Sequence, residues 1–386
     1  MRHRDAVIAG VYATRQAWRI TEQSPFGLVC EAVDGALADA GLSRGDVDGV
    51  AVDWPGPGGV RNEASSWSRV LGRDVAWTSD GMLDRAGTRG VVKAAAAISA
   101  GLCDVAVVGG GQCGTRVRGT PIGVQGGGTL EFTDGWGAYV VPLFALVAAR
   151  HMHEFGTTPE QLAAAAVTVR NYGYKNPEAV MYGKEPITVS DVLASRIVAS
   201  PFHLLNCCIA AEGGAAVVLT TRERARDLPG IPVEILGAGM QFHGAPYANP
   251  VVYREIRRLG VDAVQRAYSM AGVGAADLDV AALYDSNSFE ILRQLEIIGV
   301  CGEGEGGPYV EQTGIGLGSP LPVNTDGGCL SYAWNGLHQQ TLKVVEIVRQ
   351  LRGDAVFQVD GAEIGIAGNA GTGAGHLELA ILGRAR

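Results

Sequence analysis

The chain has no long hydrophobic run, no C-x-x-C pair and no excess of positive charge. Its longest apolar stretch, WGAYVVPLFALVAA at 136–149, is shorter than the ~20 residues a helix needs to cross a bilayer. It therefore reads as a buried or subunit-interface segment, and no membrane span is expected. The seven cysteines are odd in number and unpaired in spacing, a pattern that fits reduced thiols better than a zinc site or a disulfide framework. No metal site is expected. A net charge of −9 and a pI near 5.3 offer no basic footprint for nucleic acid. The opening MRHRDAVIAGVYAT lacks the apolar core of an export signal, so a cytoplasmic protein is expected. GEGEGG at 302–307 lacks the K-[ST] ending of a phosphate loop.

What is present is a chain of 386 residues, 47% hydrophobic, whose 56 glycines are spread among apolar strands. That length can bury a large core and accommodate two domains. An internal repeat organises it. CEAVDGALADAGLSRGDVDGVAVD (30–53) and VDAVQRAYSMAGVGAADLDVAALY (261–284) share one plan: a helix, an Ala-Gly stop, an acidic loop and a strand. Ala40–Gly41 falls on Ala271–Gly272 and Asp48 on Asp279. A second pair is GTRGVVKAAAAISAG (87–101) with NGLHQQTLKVVEIVRQLRG (335–353), in which Lys93 falls on Lys343. A strand follows each helix, DVAVVGGG at 104–111 and EIGIAGNAG at 363–371. Alternating strands and helices imply an α/β fold with buried sheets. The expected organisation is a first half at 1–230, carrying an insertion at about 112–195, and a second half at 231–386. Two related units packed about a pseudo-twofold axis bring equivalent loops together in one cleft, faced by helix N-termini suited to a developing oxyanion.

Candidate chemistry starts at LDVAALYDSNSF, 278–289, where an apolar strand runs into Tyr284 and Asp285. On sequence alone Tyr284 either caps its strand or faces a site, and Asp285 reads as a carboxylate that satisfies backbone donors in a turn. Cys207 and Cys208 sit in apolar LLNCCIAA and read as buried. Cys113 and Cys329, in glycine-rich loops, are the cysteines to examine for reactivity. His151 and His153 are expected on a solvated helix face, and His338 and His376 near the cleft.

Five segments in order carry a resemblance over nearly the whole chain: MHEFGTTPEQLAAAAV (152–167), PITVSDVLASRIVASPFHLLNCCIAAEGGAAVVLT (186–220), LYDSNSFEILRQLEIIGVCGEGEGG (283–307), LPVNTDGGCLSYAWNG (321–336) and GNAGTGAGH (368–376). The chain resembles the thiolase superfamily, and within it the thiolase-like lipid-transfer branch. The resemblance implies the five-layer αβαβα thiolase fold, two duplicated halves and a homodimer. The three thiolase catalytic groups are replaced. Asp84, in DRAG, stands at the place of the nucleophilic Cys. Trp334 stands at the place of the activating His, and GNAG replaces the late C-x-G. What remains is similar to steroid side-chain aldolases, which implies retro-aldol cleavage of a β-hydroxyacyl-CoA to a ketone and a shorter acyl-CoA, or the reverse.

In that subgroup two tyrosines move protons. Tyr284 falls on the first. The second belongs in the GG-x-L-S segment, where the chain has Tyr332 and, two residues on, Trp334. Backbone N–H groups of Gly327–Gly328 and Asn369–Gly371 would stabilise the enolate, with Asp285 and His338 in support. The coenzyme A thioester is substrate and no cofactor is expected. The resemblance also implies a small OB-fold partner, which would carry any zinc in its own ribbon. The alternatives are an acyltransferase using a loop cysteine, and a non-catalytic subunit of the same fold.

Overall fold

A computed structural model describes residues 5–53, 64–79, 87–114, 140–244, 252–371 and 374–385. Successive residues of a strand point to opposite faces, and here both faces are covered. In the strand at 105–112, Val105 and Val107 join one core while Ala106 and Val108 join another. In the strand at 376–384, Leu379 and Ile381 join a third core while Ala380 and Leu382 return to the second. Near-continuous apolar strands are what a sheet sandwiched between helices requires.

Among the described residues, nine strands form the sheet: β1 (Ala6–Ala13), β2 (Gly49–Asp53), β3 (Trp77–Thr78), β4 (Val105–Gln112), β5 (Gly213–Thr221), β6 (Val233–Phe242), β7 (Val280–Ala282), β8 (Ile364–Gly371) and β9 (His376–Arg384). Their order is β3-β2-β4-β5-β1-β6-β9-β8-β7. Read outward from the β1–β6 contact, the two wings repeat each other. Each has two antiparallel neighbours and then a parallel one. The parallel β2–β3 pairing of the first wing is echoed by a single parallel bridge from Ala281 to Val323 in the second.

The helices repeat as well. Helix α1 (Pro25–Asp39) covers the outer face of the first wing. Helix α2 (Gly87–Ala100) and helix α7 (Gln339–Arg352) touch each other in the shared core between the wings. On the far side, α5 (Val261–Ala271) covers the second wing. The layers are therefore helix, sheet, helix pair, sheet, helix. The outer helices lie close to their strands: a Cβ at Gly10 of β1 would fall 2.2 Å from the Ala36 carbonyl oxygen, and one at Gly239 of β6 falls 2.0 Å from that of Ala263.

The matched aspartates do matched work. Asp48 accepts from the backbone N–H groups of Asp104 at 3.0 Å and Val105 at 2.9 Å, fixing the start of β4 beside β2. Asp279 accepts from Glu363 at 2.8 Å and Ile364 at 2.9 Å, fixing the start of β8 beside β7. The helix stops match too, with Gly41 at φ +69° and Gly272 at φ +70°.

The inserted segment supplies α3 (Val140–Phe155) and α4 (Pro159–Lys175). Thr158 caps α4, accepting from Gln161 N–H while Gln161 accepts from Thr158 N–H. Helix α4 packs against α6 (Ser288–Ile297) and against the turn at 328–332, so α6 is buried nearly all round. His151 on α3 was expected in solvent. It is 1% exposed, and its ring bonds Glu296 at 3.1 Å and Thr157 at 3.1 Å. The face that looked polar is closed by α6.

Asp48→Ala and Asp279→Ala should each cost ~1–3 kcal/mol, since each removes the acceptor of two backbone donors. Sites this far apart should add to within ~0.5 kcal/mol in the double variant. Urea unfolding measures all three; a cost at only one position would refute the equivalence of the two ties.

Candidate active site

Strand β7 ends at Ala282, and the next two residues are fixed by side-chain amides. Asn324 accepts from Leu283 N–H at 2.7 Å and donates to Leu283 C=O at 3.0 Å. Gln294 of α6 accepts from Tyr284 N–H at 3.3 Å and donates to Tyr284 C=O at 2.6 Å. Leu283 is thus held by a neighbouring loop and the Tyr284 backbone by α6. Its side chain is 6% exposed and lies against Phe144 of α3, ring centroids 6.4 Å apart.

Asp285 is wholly buried. Lys343 of α7 meets its Oδ1 at 2.8 Å, and the same carboxylate accepts from the N–H groups of Cys329 at 2.9 Å and Leu330 at 3.2 Å. Burial works against the Lys343 charge, but Asp285, Cys329 and Asp326 together outweigh it and hold the ammonium's pKa above its ordinary value. This tie shapes the turn at Gly328–Tyr332. Gly328 has φ +56°, and a Cβ there would lie 2.0 Å from Asp285 Oδ2, so glycine alone fits.

The other sequence candidates divide between two places. Trp334 packs at the edge of the core that holds Tyr284. Tyr332 does not: it belongs to the core between the wings. Its phenol shares a small cavity of about 10 Å³ with Glu178, Asp326, Glu346 and Arg349, and its pKa is raised by burial and then by Glu178. The two tyrosines therefore lie in different cores. Gly327 and Gly328 also differ from the oxyanion-hole expectation. Gly327 N–H donates to Asn324 C=O at 3.0 Å and Gly328 N–H to Asp326 at 2.8 Å, so neither is spare.

On β8, Asn369 accepts from Gln339 at 3.4 Å and donates to Glu378 at 3.2 Å, and Gly371 pairs with His376 across the β8–β9 ladder. Glu378 forms a buried ion pair with Arg89 of α2. Gln339 also accepts from the Cys329 thiol at 3.4 Å. A polar line therefore runs from Asp285 through Cys329, Gln339 and Asn369 to Arg89. His338 is wholly buried, and burial lowers its pKa to about 3. His376 is lowered to about 3 by burial and by Arg89. Asp84 lies outside the described residues.

The cysteines are poorly suited to nucleophilic work. The Cys329 thiol is pushed well up by burial and then by Asp285, and the Cys113 thiol is raised by burial and then by Glu212. Burial pushes Cys207 up to about 11. A reactive thiol needs the opposite shift. Among the described residues, no group of three or more His, Cys, Asp and Glu could hold a metal ion, and no helix is long and apolar enough to cross a membrane.

Sequence reasoning missed Lys343 as the partner of Asp285, though it was visible as the repeat partner of Lys93. It also missed the acid pair Asp326 and Glu346. Burial and then Asp326 raise Glu346 to about 7 from an ordinary 4.5.

Comparison with known proteins gives one match to a family model, the thiolase C-terminal domain-like family, over residues 257–384. The chain is 33% identical to a steroid side-chain-cleaving aldolase of Thermomonospora curvata, over 95% of each chain. It is 33% identical to a 17-hydroxy-3-oxo-4-pregnene-20-carboxyl-CoA lyase of Mycobacterium tuberculosis, over 95% of this chain and 96% of the other. The solved structure of an Ltp2-ChsH2(DUF35) aldolase superposes with a TM-score of 0.83 at 31% identity, covering 100% of this chain and 99% of that one.

The folded protein keeps a proton on Glu346 that the unfolded chain releases between pH 4.5 and about 7. Stability from this group therefore falls as pH rises through that window and is flat above it. Glu346→Gln should raise stability on the order of 1–3 kcal/mol at pH 8 and by little at pH 4.5. Chemical denaturation at the two pH values checks this; an equal effect at both would show that the carboxyl is not held protonated.

Proposed function

The chain belongs to the thiolase superfamily, in the branch that includes steroid side-chain-cleaving aldolases, and from that premise we propose that it makes or breaks a carbon–carbon bond next to a coenzyme A thioester. In the cleaving direction a β-hydroxyacyl-CoA yields a ketone and a shorter acyl-CoA. The hydroxyl proton leaves, the Cα–Cβ bond breaks with its electron pair moving into the thioester enolate, and the enolate carbon takes a proton. No oxidant or reductant is needed.

Tyr284 is the residue we assign to the first transfer. The observation that carries the reading is its setting: a phenol at a strand end, its backbone gripped by Gln294 and that of the preceding Leu283 by Asn324, four residues ahead of the first residue of α6. A helix N-terminus favours developing negative charge, which helps a phenol of ordinary pKa near 10 act close to neutrality. Asp285, tied to Lys343, positions the turn opposite. Trp334 packs on the same core, and Asn369 belongs to the polar line that leads from Asp285. Tyr332 is the other residue offered for a proton role; its place in the cavity beside Glu178 makes it the weaker candidate. The raised cysteine pKa values disfavour an acyl-enzyme route.

The branch also suggests partners. One neighbour is named as an Ltp2-ChsH2(DUF35) aldolase, and we extend that double name to a small OB-fold partner here, with any zinc in the partner. A homodimer formed through the first half would cover apolar positions such as Leu146, 47% exposed on α3. The cytoplasm is the compartment proposed. Light scattering should show a dimer at micromolar concentration, and co-expression with a neighbouring OB-fold protein should raise activity; a monomer fully active alone would end both proposals.

Tyr284→Phe deletes one hydroxyl and keeps the ring. As a proton-transfer group its loss should lower kcat ~10²-fold or more, while stability changes by ~1 kcal/mol. Cys329→Ala and Cys113→Ala should retain turnover. Cleavage of 17-hydroxy-3-oxo-4-pregnene-20-carboxyl-CoA, followed as ketone release, measures all three. Wild-type rates in Tyr284→Phe would sink the assignment, and a collapse confined to a cysteine variant would favour an acyltransferase.

A further inference from the structure

The N-termini of the two central helices meet where α2 and α7 begin. Gly87 N–H donates to Thr341 Oγ1 at 3.0 Å, and a Cβ on Gly87 would lie 2.1 Å from Gln340 Cβ. Around this contact sit five buried polar atoms without a hydrogen-bond partner: Thr88 Oγ1, Asn335 Oδ1, both ring nitrogens of His338 and Gln340 Oε1. These residues are between 0% and 6% exposed. Buried polar groups are nearly always paired, and an orphan left without water costs ~1–3 kcal/mol. Five at one helix junction are a set that a ligand would complete.

Their chemistry selects the ligand. A neutral imidazole offers one donor and one acceptor, a threonine hydroxyl either, and the two amide oxygens are acceptors. None of these groups is a cation, so the set does not suit phosphate. It suits a neutral group carrying both a carbonyl oxygen and a hydroxyl, which is what a β-hydroxyacyl thioester presents. The place also fits. Gln339, next to His338, joins the Cys329 thiol to Asn369, so His338 stands beside the polar line that leads from Asp285. Asp84, at the family's lost thiol position by resemblance, is three residues before Gly87 in the chain.

We propose that His338 donates its ring N–H to the thioester oxygen of the substrate and to the enolate oxygen that replaces it when the Cα–Cβ bond breaks, with Thr88 as a second donor. This rests on the aldolase reading and names the group that the consumed N–H groups of Gly327 and Gly328 cannot supply. The imidazole gives up no net proton: the hydroxyl proton passes to Tyr284 and from there to the enolate carbon. Burial keeps the ring neutral, its pKa lowered to about 3, which makes it a poor base and leaves it a hydrogen-bond donor through the working range. Neutral imidazole as electrophile is an established solution to enolate formation, and one such donor removed from an oxyanion typically costs ~10²–10³ in kcat.

The test compares His338→Met, which removes the donor, with His338→Gln, which keeps an N–H. Two reactions are followed: cleavage of 17-hydroxy-3-oxo-4-pregnene-20-carboxyl-CoA, and exchange of the α-protons of propanoyl-CoA in D2O, which needs the enolate but no ketone. His338→Met should lower kcat and the exchange rate together by ~10²-fold or more with KM within about 3-fold, and His338→Gln should recover at least about a tenth of both. A folded Met variant with both rates within about 3-fold of wild type overturns the inference. Should the Met variant fail to fold, the wild type labelled with ¹⁵N in its seven histidine rings decides. Saturating propanoyl-CoA should move the one signal that is absent from His338→Gln, and an unmoved signal overturns the inference. Loss in Tyr284→Phe with no loss at His338 would remove this inference and leave the aldolase reading; wild-type rates in both variants would remove both.

Discussion

The buried pair of Asp285 and Lys343 is the contact on which the candidate site depends. A carboxylate with no exposure must be matched charge for charge, since an uncompensated buried ion costs several kcal/mol. Lys343 meets that need from the second turn of α7, and two backbone N–H groups of the 328–332 turn complete the acceptor's coordination. Three elements are joined at one side chain: the end of β7, the glycine turn and the central helix. Tyr284 is the residue before Asp285, so the same tie determines where its backbone can go. Gly328 follows from the pair as well, because the carboxylate occupies the volume a Cβ would need.

A second constraint comes from duplication. When both wings use the same strand order, their central helices are brought together in the same layer. The polar ends of those helices then face one another instead of water. In the outer layers, α1 and α5 pack mainly on strands, in cores built of apolar and aromatic side chains. The junction of α2 and α7 is different: Thr88, Arg89, His338, Gln339 and Gln340 are all buried there. Polar side chains gathered at the middle of a fold, next to a strand end carrying a phenol, are a stability cost that a binding site explains and a structural core does not.

Much of the fold was legible because the repeat carries its own physics. Gly41 and Gly272 stop equivalent helices, and Asp48 and Asp279 tie equivalent strands, so matching letters meant matching hydrogen bonds. The alternation of strands such as 104–111 and 363–371 with helices implied buried sheets, and β4 and β9 are indeed covered on both faces. The site was only half legible. Tyr284 stood out as a polar residue finishing an apolar strand, and the structure puts it two residues past the end of β7, nearly buried. Tyr332 and Gly328 could not be placed from sequence, because the direction of each residue in a five-residue turn with left-handed glycines depends on the turn's exact winding. His151 was misread for a related reason. The helix face looked polar, but α6, more than a hundred residues on, closes over it, and no local pattern reports a contact at that separation.

The replaced catalytic groups and the retained scaffold are consistent with one another. Claisen chemistry needs a thiolate nucleophile, and the thiols here sit where burial opposes ionisation. An aldol cleavage needs no covalent intermediate. It needs a hydroxyl's proton removed, an enolate oxygen stabilised and water kept from the carbanion. On the proposed reading a strand-end phenol would take the proton, a neutral buried imidazole at the paired helix N-termini would hold the enolate oxygen, and burial would keep water away, all without a nucleophile. The fold's gift to either reaction is the same: two helix N-termini directed at one point. What differs is the group placed there, and a neutral donor in a dry, preorganised setting strengthens its hold as negative charge moves onto the oxygen it faces.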